Sequence, residues 1–304
     1  ILVFISIFIF FYFHKPETKN VNSFSLLSKE TSILVNNWFM MYFLSVVLIG
    51  TVYPIFLDVI SSQKISVGPP FYHKLIVPFL IPFLIFMAIG PQLKWIKSEL
   101  KDKLNLFILF IISLLISFFI VKISGTKFLL NSILFSGAFY LFFTTTKNFF
   151  KKSKSIQQNI AHFGFSLLIL SILFNNLFAS EIITNLKVGE SFENSNTKIV
   201  FESIDQKKEQ NYNSIIANFS ISNSNGEEDR LSPELRIYNQ PVIATSEADI
   251  KTTLMSDKFI VINLVQNQDF FNVRYQVKPF MLWIWLSVIL ISFGGIVSFL
   301  QKRS

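Results

Sequence analysis

Long apolar runs recur along the whole chain and alternate with short polar connections. Residues 104–121, for example, carry no charge over about the 18 positions that suffice for a membrane span. The pattern predicts seven such segments, at residues 1–13, 39–60, 75–92, 104–122, 128–146, 157–178 and 280–299. A soluble domain could not bury so many of them, so we predict a polytopic α-helical membrane protein.

The first segment is shorter than the others. As a helix, residues 1–13 would measure ~20 Å, against the ~30 Å of a hydrocarbon core. The segment lacks the basic start and the small-residue cleavage site of a signal peptide. We therefore expect it to be the end of a spanning helix that begins upstream, and the chain to be the C-terminal part of a longer protein.

The region between the last two segments has a different pattern. Short stretches rich in β-branched and aromatic residues, with partial alternation, predict strands at residues 197–204, 212–222, 258–266 and 270–277. We predict one external antiparallel β-domain, or a small barrel, inserted before the last transmembrane helix. The predicted organisation is a helical bundle at 1–178, a β-rich domain at 180–278, and the last helix with its tail at 279–304.

Two local predictions fall inside the β-rich domain. Residues 223–226, Asn-Ser-Asn-Gly, are typical of a tight turn, and the acidic residues 227–229 after them are predicted to form a solvated loop. Residues 245–254 are predicted to form a short turn of helix, with Ser246 as its N-cap and Asp249 three residues later.

Basic residues are distributed unequally over the connections between the apolar segments. The connections 14–38, 93–103 and 147–156, with the tail 300–304, hold 13 lysines and arginines, whereas the short loops on the other side hold four. Because basic residues favour the cytoplasmic side, we predict that the β-rich domain lies outside, in the periplasm of a bacterial inner membrane. The net charge of +8 then reflects topology and contact with the lipid bilayer, and no nucleic-acid partner is predicted.

The chain contains no cysteine. It therefore has no disulfide, no thiolate metal site and no catalytic thiol, so any thiol chemistry would belong to a partner. The sequence also has no Walker loop, no HExxH motif and no serine–histidine–aspartate set at a meaningful spacing. Motifs alone therefore predict no catalytic residue.

Three histidines remain as candidates for chemistry. His14 follows the first segment and precedes a lysine, as an interfacial polar residue would. His73 lies in a predicted outer loop, where an imidazole is usually solvated but could also face a ligand. His162 differs from both, because it lies within the apolar segment 157–178, one or two turns from the predicted cytoplasmic surface.

A polar side chain in hydrocarbon is costly unless it finds a partner. For His162 the sequence leaves three partners open: the backbone or a hydroxyl of a neighbouring helix, a proton pathway, and a metal. A haem iron suits a lone membrane imidazole, because one axial nitrogen from each of two helices suffices. Ala161 is small enough to let a flat group approach, and a second membrane-embedded histidine would have to lie upstream of this chain.

Five stretches of the sequence together resemble one known family. The most specific are the stretch containing Lys-Ile-Ser-Val-Gly-Pro-Pro and the helix containing Ala-His-Phe-Gly. In order, the stretches resemble successive blocks of CcmF, the cytochrome c-type biogenesis protein that is the haem lyase subunit of the bacterial cytochrome c maturation system. They lie at residues 49–58, 64–91, 160–172, 231–262 and 277–296.

The resemblance implies a function that the residues by themselves do not. A lyase of this family attaches haem, delivered by a haem chaperone, to the two cysteines of a CxxCH motif in apocytochrome c outside the cytoplasm. The family also holds a haem b on two transmembrane histidines, thought to keep the incoming haem iron reduced. The resemblance places one of these axial iron ligands at His162. It also implies contact with other maturation subunits and leaves a quinol as a candidate partner.

This chain lacks several features of the family. The tryptophan-rich WWD segment, the two outer histidines that ligate the delivered haem, and the second ligand of the membrane haem are not in this sequence. In the family these features lie upstream, so we expect this chain alone to complete neither haem site. A proline and an arginine of the family correspond to Pro233 and Arg236, for which we expect a structural role.

Two other classes of function stay open on the sequence. One is a polytopic transporter with an external β-domain, against which no charged residue lies midway in any predicted span. The other is a non-catalytic membrane scaffold that docks apocytochrome c through residues 180–278, a step that a lyase would also need. A related lyase dedicated to a nitrite-reductase cytochrome is not distinguished from CcmF by this sequence.

Overall fold

The part of the chain that the structure describes contains six long α-helices, a short 3₁₀ helix (Gly90–Gln92) and ten strands. The computed structural model describes residue 13 and residues 25–61, 65–96, 103–125, 128–150, 156–194, 196–223, 226, 228–265 and 269–301. The helices are α1 (Lys29–Ser61), α2 (Pro69–Ile89), α3 (Lys103–Ser124), α4 (Phe128–Phe150), α5 (Ile156–Phe178) and α6 (Met281–Gln301).

All six helices are long and apolar enough to cross a membrane. The prediction of a multi-pass membrane protein is therefore confirmed. The first predicted segment, residues 1–13, lies outside the described residues apart from Phe13.

Helix α1 begins well before the apolar segment predicted at residues 39–60. The Oγ of Ser28 accepts a hydrogen bond from the backbone N–H of Thr31 at 3.2 Å, which satisfies a donor that has no partner within the helix. The residues that follow Ser28 are therefore helical although many are polar. Hydropathy marks the part of a helix that lipid can solvate, and the cap marks where its hydrogen bonds begin.

The chain divides into two compact units, Ile1–Phe110 and Ile111–Ser304. In the first unit α1 packs against α2, and Tyr42 on α1 donates a hydrogen bond from its hydroxyl to the carbonyl of Leu75 at 2.9 Å. The second unit contains α4, α5, all ten strands and α6.

The ten strands form two antiparallel sheets between α5 and α6. They are β1 (Ser180–Leu186), β2 (Ser191–Glu193), β3 (Thr197–Lys208), β4 (Tyr212–Asn223), β5 (Glu228–Leu231), β6 (Glu234–Asn239), β7 (Val242–Glu247), β8 (Asp249–Thr252), β9 (Ser256–Leu264) and β10 (Phe271–Pro279). One sheet has the order β1-β10-β9-β8, and the other has the order β2-β3-β4-β6-β7 with β5 paired to β4. The predicted antiparallel β-domain before the last helix is confirmed, as a sandwich of two sheets.

The two sheets share one apolar core. Successive residues of a strand point to opposite faces, so every second residue of the central strands is buried, and the rings of Phe201 and Phe219 stack with centroids 4.5 Å apart. The core consists of Leu186, Ile199, Phe201, Ala217, Phe219, Ile221, Leu231, Leu235, Ile260, Ile262, Val273 and Tyr275.

The sandwich is joined to the helices at two neighbouring points. Helix α5 ends at Phe178 and β1 begins two residues later, while β10 ends two residues before α6. Ser180 at the start of β1 pairs with Val277 near the end of β10. The side-chain amide of Asn175 on α5 also donates to the carbonyl of Pro279 at 2.7 Å. The pairing of α5 with α6 therefore continues directly into the pairing of β1 with β10.

Residues 245–247 and 249–252 lie in strands β7 and β8, so the predicted turn of helix is wrong. β7 pairs with β6, and β8 pairs with β9. The hydroxyl of Ser246 donates to Oδ1 of Asn263 at 2.6 Å, and a carboxylate oxygen of Asp249 accepts from the backbone N–H of Ser232 at 2.6 Å. Short polar side chains that cap helices also serve strand ends, and here the pairing with distant strands decides the conformation.

Asp229 is buried within β5, so the predicted solvated loop is wrong at this position. Only 4% of its surface is exposed. Its two carboxylate oxygens accept hydrogen bonds from Lys258 Nζ at 2.6 Å and from Lys251 Nζ at 2.5 Å. The acidic composition predicted solvation because the two lysines that neutralise Asp229 are 22 and 29 residues away in sequence. Glu228 also lies in β5, and residue 227 is outside the described residues.

These three charges connect the two sheets of the sandwich. β5 belongs to the six-stranded sheet, whereas Lys251 on β8 and Lys258 on β9 belong to the other. Burial raises the pKa of the Asp229 carboxyl, but the hydrogen bonds from the two lysines outweigh burial and hold the pKa below its usual value. The ion-paired form is therefore the form that stabilises the folded sandwich.

Replacing Asp229 by asparagine should destabilise the sandwich by about 3 kcal/mol, because removing one member of a buried pair leaves the other charges uncompensated. Hydrogen exchange of the peptides that contain β5 and β9, in the full protein, would measure the effect as faster exchange. The control Glu193→Gln breaks an exposed ion pair of 3.7 Å with Lys198, and it should leave exchange unchanged.

Lowering the pH should also show how much the Asp229 carboxyl contributes to the stability of the sandwich. Since the pKa of Asp229 is lower in the folded protein than its ordinary value of 3.8, its stabilising contribution is complete above that value. The contribution is lost as the pH falls through the folded pKa. Protection from exchange should therefore fall more steeply below about pH 4 in the unmodified protein than in Asp229→Asn, and parallel profiles would contradict the role of this carboxyl.

Candidate functional site

Helix α5 carries His162, and His162 and its two sequence neighbours lie on three different sides of this helix. With ~100° between successive residues of a helix, Ala161, His162 and Phe163 point in three directions. Ala161 lies against α6, and Phe163 packs against α4. His162 therefore points to a third side, next to the contact with α6, and the packing of its two neighbours determines where its imidazole lies.

Helices α5 and α6 approach until their backbones are in contact. A Cβ on Gly294 of α6 would lie 2.8 Å from the backbone nitrogen of Ala161 and 2.9 Å from the carbonyl oxygen of Gln157. A Cβ on Gly164 of α5 would lie 3.0 Å from the carbonyl oxygen of Ser287. Neither position has room for a methyl group, so both glycines are needed for this close packing of helices in lipid.

The opposite side of α5 packs on α4 through aromatic rings. The ring of Phe163 lies 5.3 Å from that of Phe142 and 5.7 Å from that of Phe149, measured between centroids. The side-chain amide of Asn159 donates to the carbonyl of Asn148 at 3.5 Å. Helix α5 is therefore held from two sides.

His162 lies in an open groove of about 310 Å³ between α5 and α6, lined by Gln157, Gln158, Ala161, His162, Gly294, Gly295 and Ser298. The two adjacent glycines have different roles. A Cβ on Gly295 would meet nothing within 4 Å, in contrast to one on Gly294. Gly294 closes the contact between the helices, and Gly295 keeps space in the groove that contains the imidazole.

The imidazole of His162 is partly buried and has no hydrogen-bond or ion-pair partner among the described residues. The Oε1 atom of Gln157, in the same groove, is buried and likewise unpaired within the part of the chain that the structure describes. Buried polar atoms almost always have partners in native proteins. The partly buried imidazole and the buried Oε1 of Gln157 thus lie unpaired in one groove, and the described helices do not supply the interhelical hydrogen bond that the sequence left open.

These residues fit one half of a haem site. A position on haem iron needs one nitrogen from one helix, which His162 could supply, and the space at Gly295 could take the edge of a flat group. In the described ranges no group of three or more histidines, cysteines, aspartates or glutamates could hold a metal ion.

The other two histidines do not form a comparable site. His73 is exposed and lies in α2, not in the predicted loop, because Pro69 and Pro70 begin the helix four residues earlier. Proline is favoured at this position because the first N–H groups of a helix have no partner within it. His14 lies outside the described residues.

Pro233 and Arg236 make contacts within the sandwich. The carbonyl of Pro233 accepts a hydrogen bond from the Ala217 N–H at 3.0 Å. The guanidinium of Arg236 donates to Glu234 at 2.8 Å and lies 5.1 Å from the centre of the Tyr212 ring. These contacts connect β4 with β6 and with the residue that precedes β6, in agreement with the structural role expected from the sequence.

Of the seven residues that line the groove, the sequence pointed only to Ala161 and His162. Gly294 and Gly295 form a glycine pair inside an apolar helix, and such pairs mark close helix contacts, so this signal was available. Gln157 gave no signal, because glutamine at the end of a span is usually solvated. It is buried only because Gly294 lets α6 approach its backbone.

Comparison with known proteins connects the sandwich to one family. Residues 177–279 match the family model described as the CcmF C-terminal beta-sandwich. This range contains all ten strands.

Two curated relatives are similar over nearly the whole chain. The cytochrome c-type biogenesis protein CcmF of Pseudomonas fluorescens is 26% identical over 324 residues, covering 99% of this chain and 49% of the relative. CcmF of Pseudomonas aeruginosa is 25% identical over 308 residues, covering 95% of this chain and 46% of the relative. The chain thus spans about half the length of the curated relatives it matches.

The fold also matches a solved structure, the cytochrome c haem lyase CcmF. The two superpose with a TM-score of 0.69 at 19% sequence identity, over 90% of this chain and 46% of the other. This match confirms the predicted fold class, and the similarity to the curated relatives over nearly the whole chain confirms the resemblance to CcmF seen in the sequence.

The two neighbouring glycines of α6 allow a matched test of the helix contact. Gly294→Ala should lower stability by about 1–3 kcal/mol, the usual cost of forcing extra volume into a packed interior. Gly295→Ala should leave stability unchanged, because its methyl group enters open space. Thermal unfolding of the purified protein in detergent, followed by the fluorescence of the α6 tryptophans, measures both. Equal effects of the two substitutions would contradict the contact.

Proposed function

We propose that this chain works in cytochrome c biogenesis as part of a CcmF-type haem lyase, which attaches haem to the two cysteines of a CxxCH motif in apocytochrome c. The ordered similarity to CcmF relatives over nearly the whole chain supports the proposal. Because the chain spans about half the length of those relatives, the activity would belong to a larger assembly. The observation in the structure that carries the proposal is the unpaired imidazole of His162 in the α5–α6 groove.

The proposed reaction forms two thioether bonds. In each, a cysteine thiol adds across the carbon–carbon double bond of a haem vinyl group, so one C–S bond and one C–H bond form and nothing leaves. The thiol proton supplies the new hydrogen. Since this chain has no cysteine, both thiols would come from apocytochrome c, and no residue of the chain would compete for the vinyl groups.

We assign His162 the role of an axial ligand to a membrane haem b. When bound, such a haem would supply single electrons that keep the iron of the delivered haem reduced. His162 would offer one ring nitrogen, and the second axial nitrogen would come from another helix. The bond to iron would offset the cost of placing an imidazole in hydrocarbon.

The rest of the groove would orient the ligand. Ala161 and Gly294 hold α5 against α6, so the backbone that carries the imidazole has little freedom to rotate. Gln157 and Gln158 lie on the same groove and would meet polar substituents of the bound group. In this chain, positioning and not proton transfer would be the contribution of the site.

We further propose that the sandwich lies in the periplasm of a bacterial inner membrane. The support is the bias of basic residues toward the opposite side of the spans. Apocytochrome c, the haem chaperone that delivers haem, and other maturation subunits would then meet the protein on the side of the sandwich. A quinol within the bilayer is the electron source that this arrangement favours.

Substitution of His162 tests the assignment. The protein purified from membranes with its associated subunits should show the absorption bands of a b-type haem in the reduced-minus-oxidised spectrum. His162→Ala should abolish these bands, and His73→Ala should not, since His73 is the other histidine among the described residues and lies exposed on α2.

Chemical rescue separates loss of the ligand from loss of the fold. In a His162→Gly variant, imidazole in the buffer should restore the bands, because the small ligand can enter the space left by the side chain. An unchanged spectrum in His162→Ala would remove His162 from the haem site. Bands that are lost in His162→Gly and not restored by imidazole would also contradict direct ligation.

A further inference from the structure

A second groove, of about 570 Å³, lies on the four-stranded sheet of the sandwich. Its walls are Ala179, Ser180, Glu181, Phe259, Val261, Asn263, Arg274, Gln276 and Lys278. Ala179 directly follows α5, and Lys278 is three residues before the first residue of α6. The groove therefore begins where the sheet meets the two membrane-spanning helices.

An exposed apolar turn lies near the same end of the sheet. The turn between β8 and β9 exposes Leu254 and Met255, at 69% and 63% of their surface. This turn is held against the start of α6, since Trp283 donates from its indole nitrogen to the Leu254 carbonyl at 2.9 Å and Phe280 donates from its N–H to the Met255 carbonyl at 2.8 Å. Exposed apolar side chains beside an indole at a helix end are typical of the membrane–water interface.

The turn and the groove are neighbours in the sheet. Lys278 pairs with Asp257 across β10 and β9, and Asp257 pairs with Thr252 across β9 and β8. Lys278 therefore lies within two strands of the apolar turn.

The charges of the groove leave an excess of one positive charge. Glu181 accepts hydrogen bonds from Gln276 and Arg274, and these bonds lower the pKa of its carboxyl, so Glu181 is ionised and compensates Arg274. Lys278 has no carboxylate within ion-pair distance among the residues described, and its Nζ lies 5.0 Å from the centre of the Phe259 ring. Lys278 also interacts electrostatically with Glu181, but the lining has one carboxylate for two cations, so one positive charge stays in excess and can attract an external anion.

We propose that this groove binds the headgroup of an anionic phospholipid from the leaflet that the sandwich faces. The ammonium of Lys278 pairs with the lipid phosphate, Asn263 and Gln276 offer amides to the polar headgroup, and Phe259 and Val261 cover its glycerol and upper acyl carbons. The site does not depend on the proposed haem chemistry. Its effect is to hold the sandwich against the bilayer surface.

The location favours a lipid over a dissolved phosphate. Both would offer the same anionic oxygens to Lys278, but a lipid also has carbon atoms for the apolar wall formed by Phe259 and Val261. It is also concentrated at the depth where the groove lies. A basic side chain near an anionic surface strengthens lipid binding about fivefold, so a single substitution should be measurable.

Lipid retention by the purified full-length protein tests the site. Protein exchanged into nanodiscs of equal phosphatidylglycerol and phosphatidylcholine should retain phosphatidylglycerol preferentially when it is released for native mass spectrometry. Lys278→Gln should reduce that preference about fivefold. Lys187→Gln removes an exposed charge at the far end of β1, roughly 23 Å along the strand, and should leave the preference unchanged.

Two further arms complete the experiment. Lys278→Arg keeps the charge and should keep the preference, which separates an electrostatic role from damage to the fold. Glycerol 3-phosphate at millimolar concentration should not displace the lipid; displacement would assign the groove to a dissolved phosphate and overturn the proposal. Equal retention of the two lipids by the unmodified protein, or an equal loss in Lys187→Gln and Lys278→Gln, would overturn it as well.

Discussion

The contact between the backbones of α5 and α6 is the constraint on which the rest of the second unit depends. In lipid, no hydrophobic effect draws two apolar helices together, so close van der Waals packing at small residues must do so. Gly164 and Gly294 provide it by letting each backbone touch the other helix. The contact fixes the rotation of α5, which directs His162 into the groove. It also sets the spacing at which β1 and β10 leave the helices and begin to pair.

Buried side-chain oxygens without a partner occur at several places among the described residues of the unit, and of these only that of Gln157 lies in one of the two grooves. In the sandwich, Asp229 is neutralised by Lys251 and Lys258 from the opposite sheet. In the membrane groove, Gln157 lies beside the half-buried His162, which has no partner among the described residues. In the groove on the sheet, Lys278 and Arg274 share one carboxylate, that of Glu181.

The sequence predicted what depends on local pattern and missed what depends on distant residues. Uncharged runs located the spans, and β-branched residues located β3, β4, β9 and β10. The burial of Asp229 was not predictable, because it requires Lys251 and Lys258, which only the stacking of two sheets brings near. The strands at 245–247 and 249–252 were missed for the same reason, since their partners are β6 and β9. His162 was found because an imidazole in an apolar run is unusual by itself, whereas the space at Gly295 depends on the packing of α6.

Locating the iron tests the central claim most directly. The protein would be purified from membranes with its associated subunits and haem, crystallised, and measured at the iron absorption edge to obtain an anomalous difference map. We expect an iron peak within bonding distance of a ring nitrogen of His162, in the groove between α5 and α6. An iron peak elsewhere, with the imidazole of His162 hydrogen-bonded to a hydroxyl of a neighbouring helix, would contradict the account.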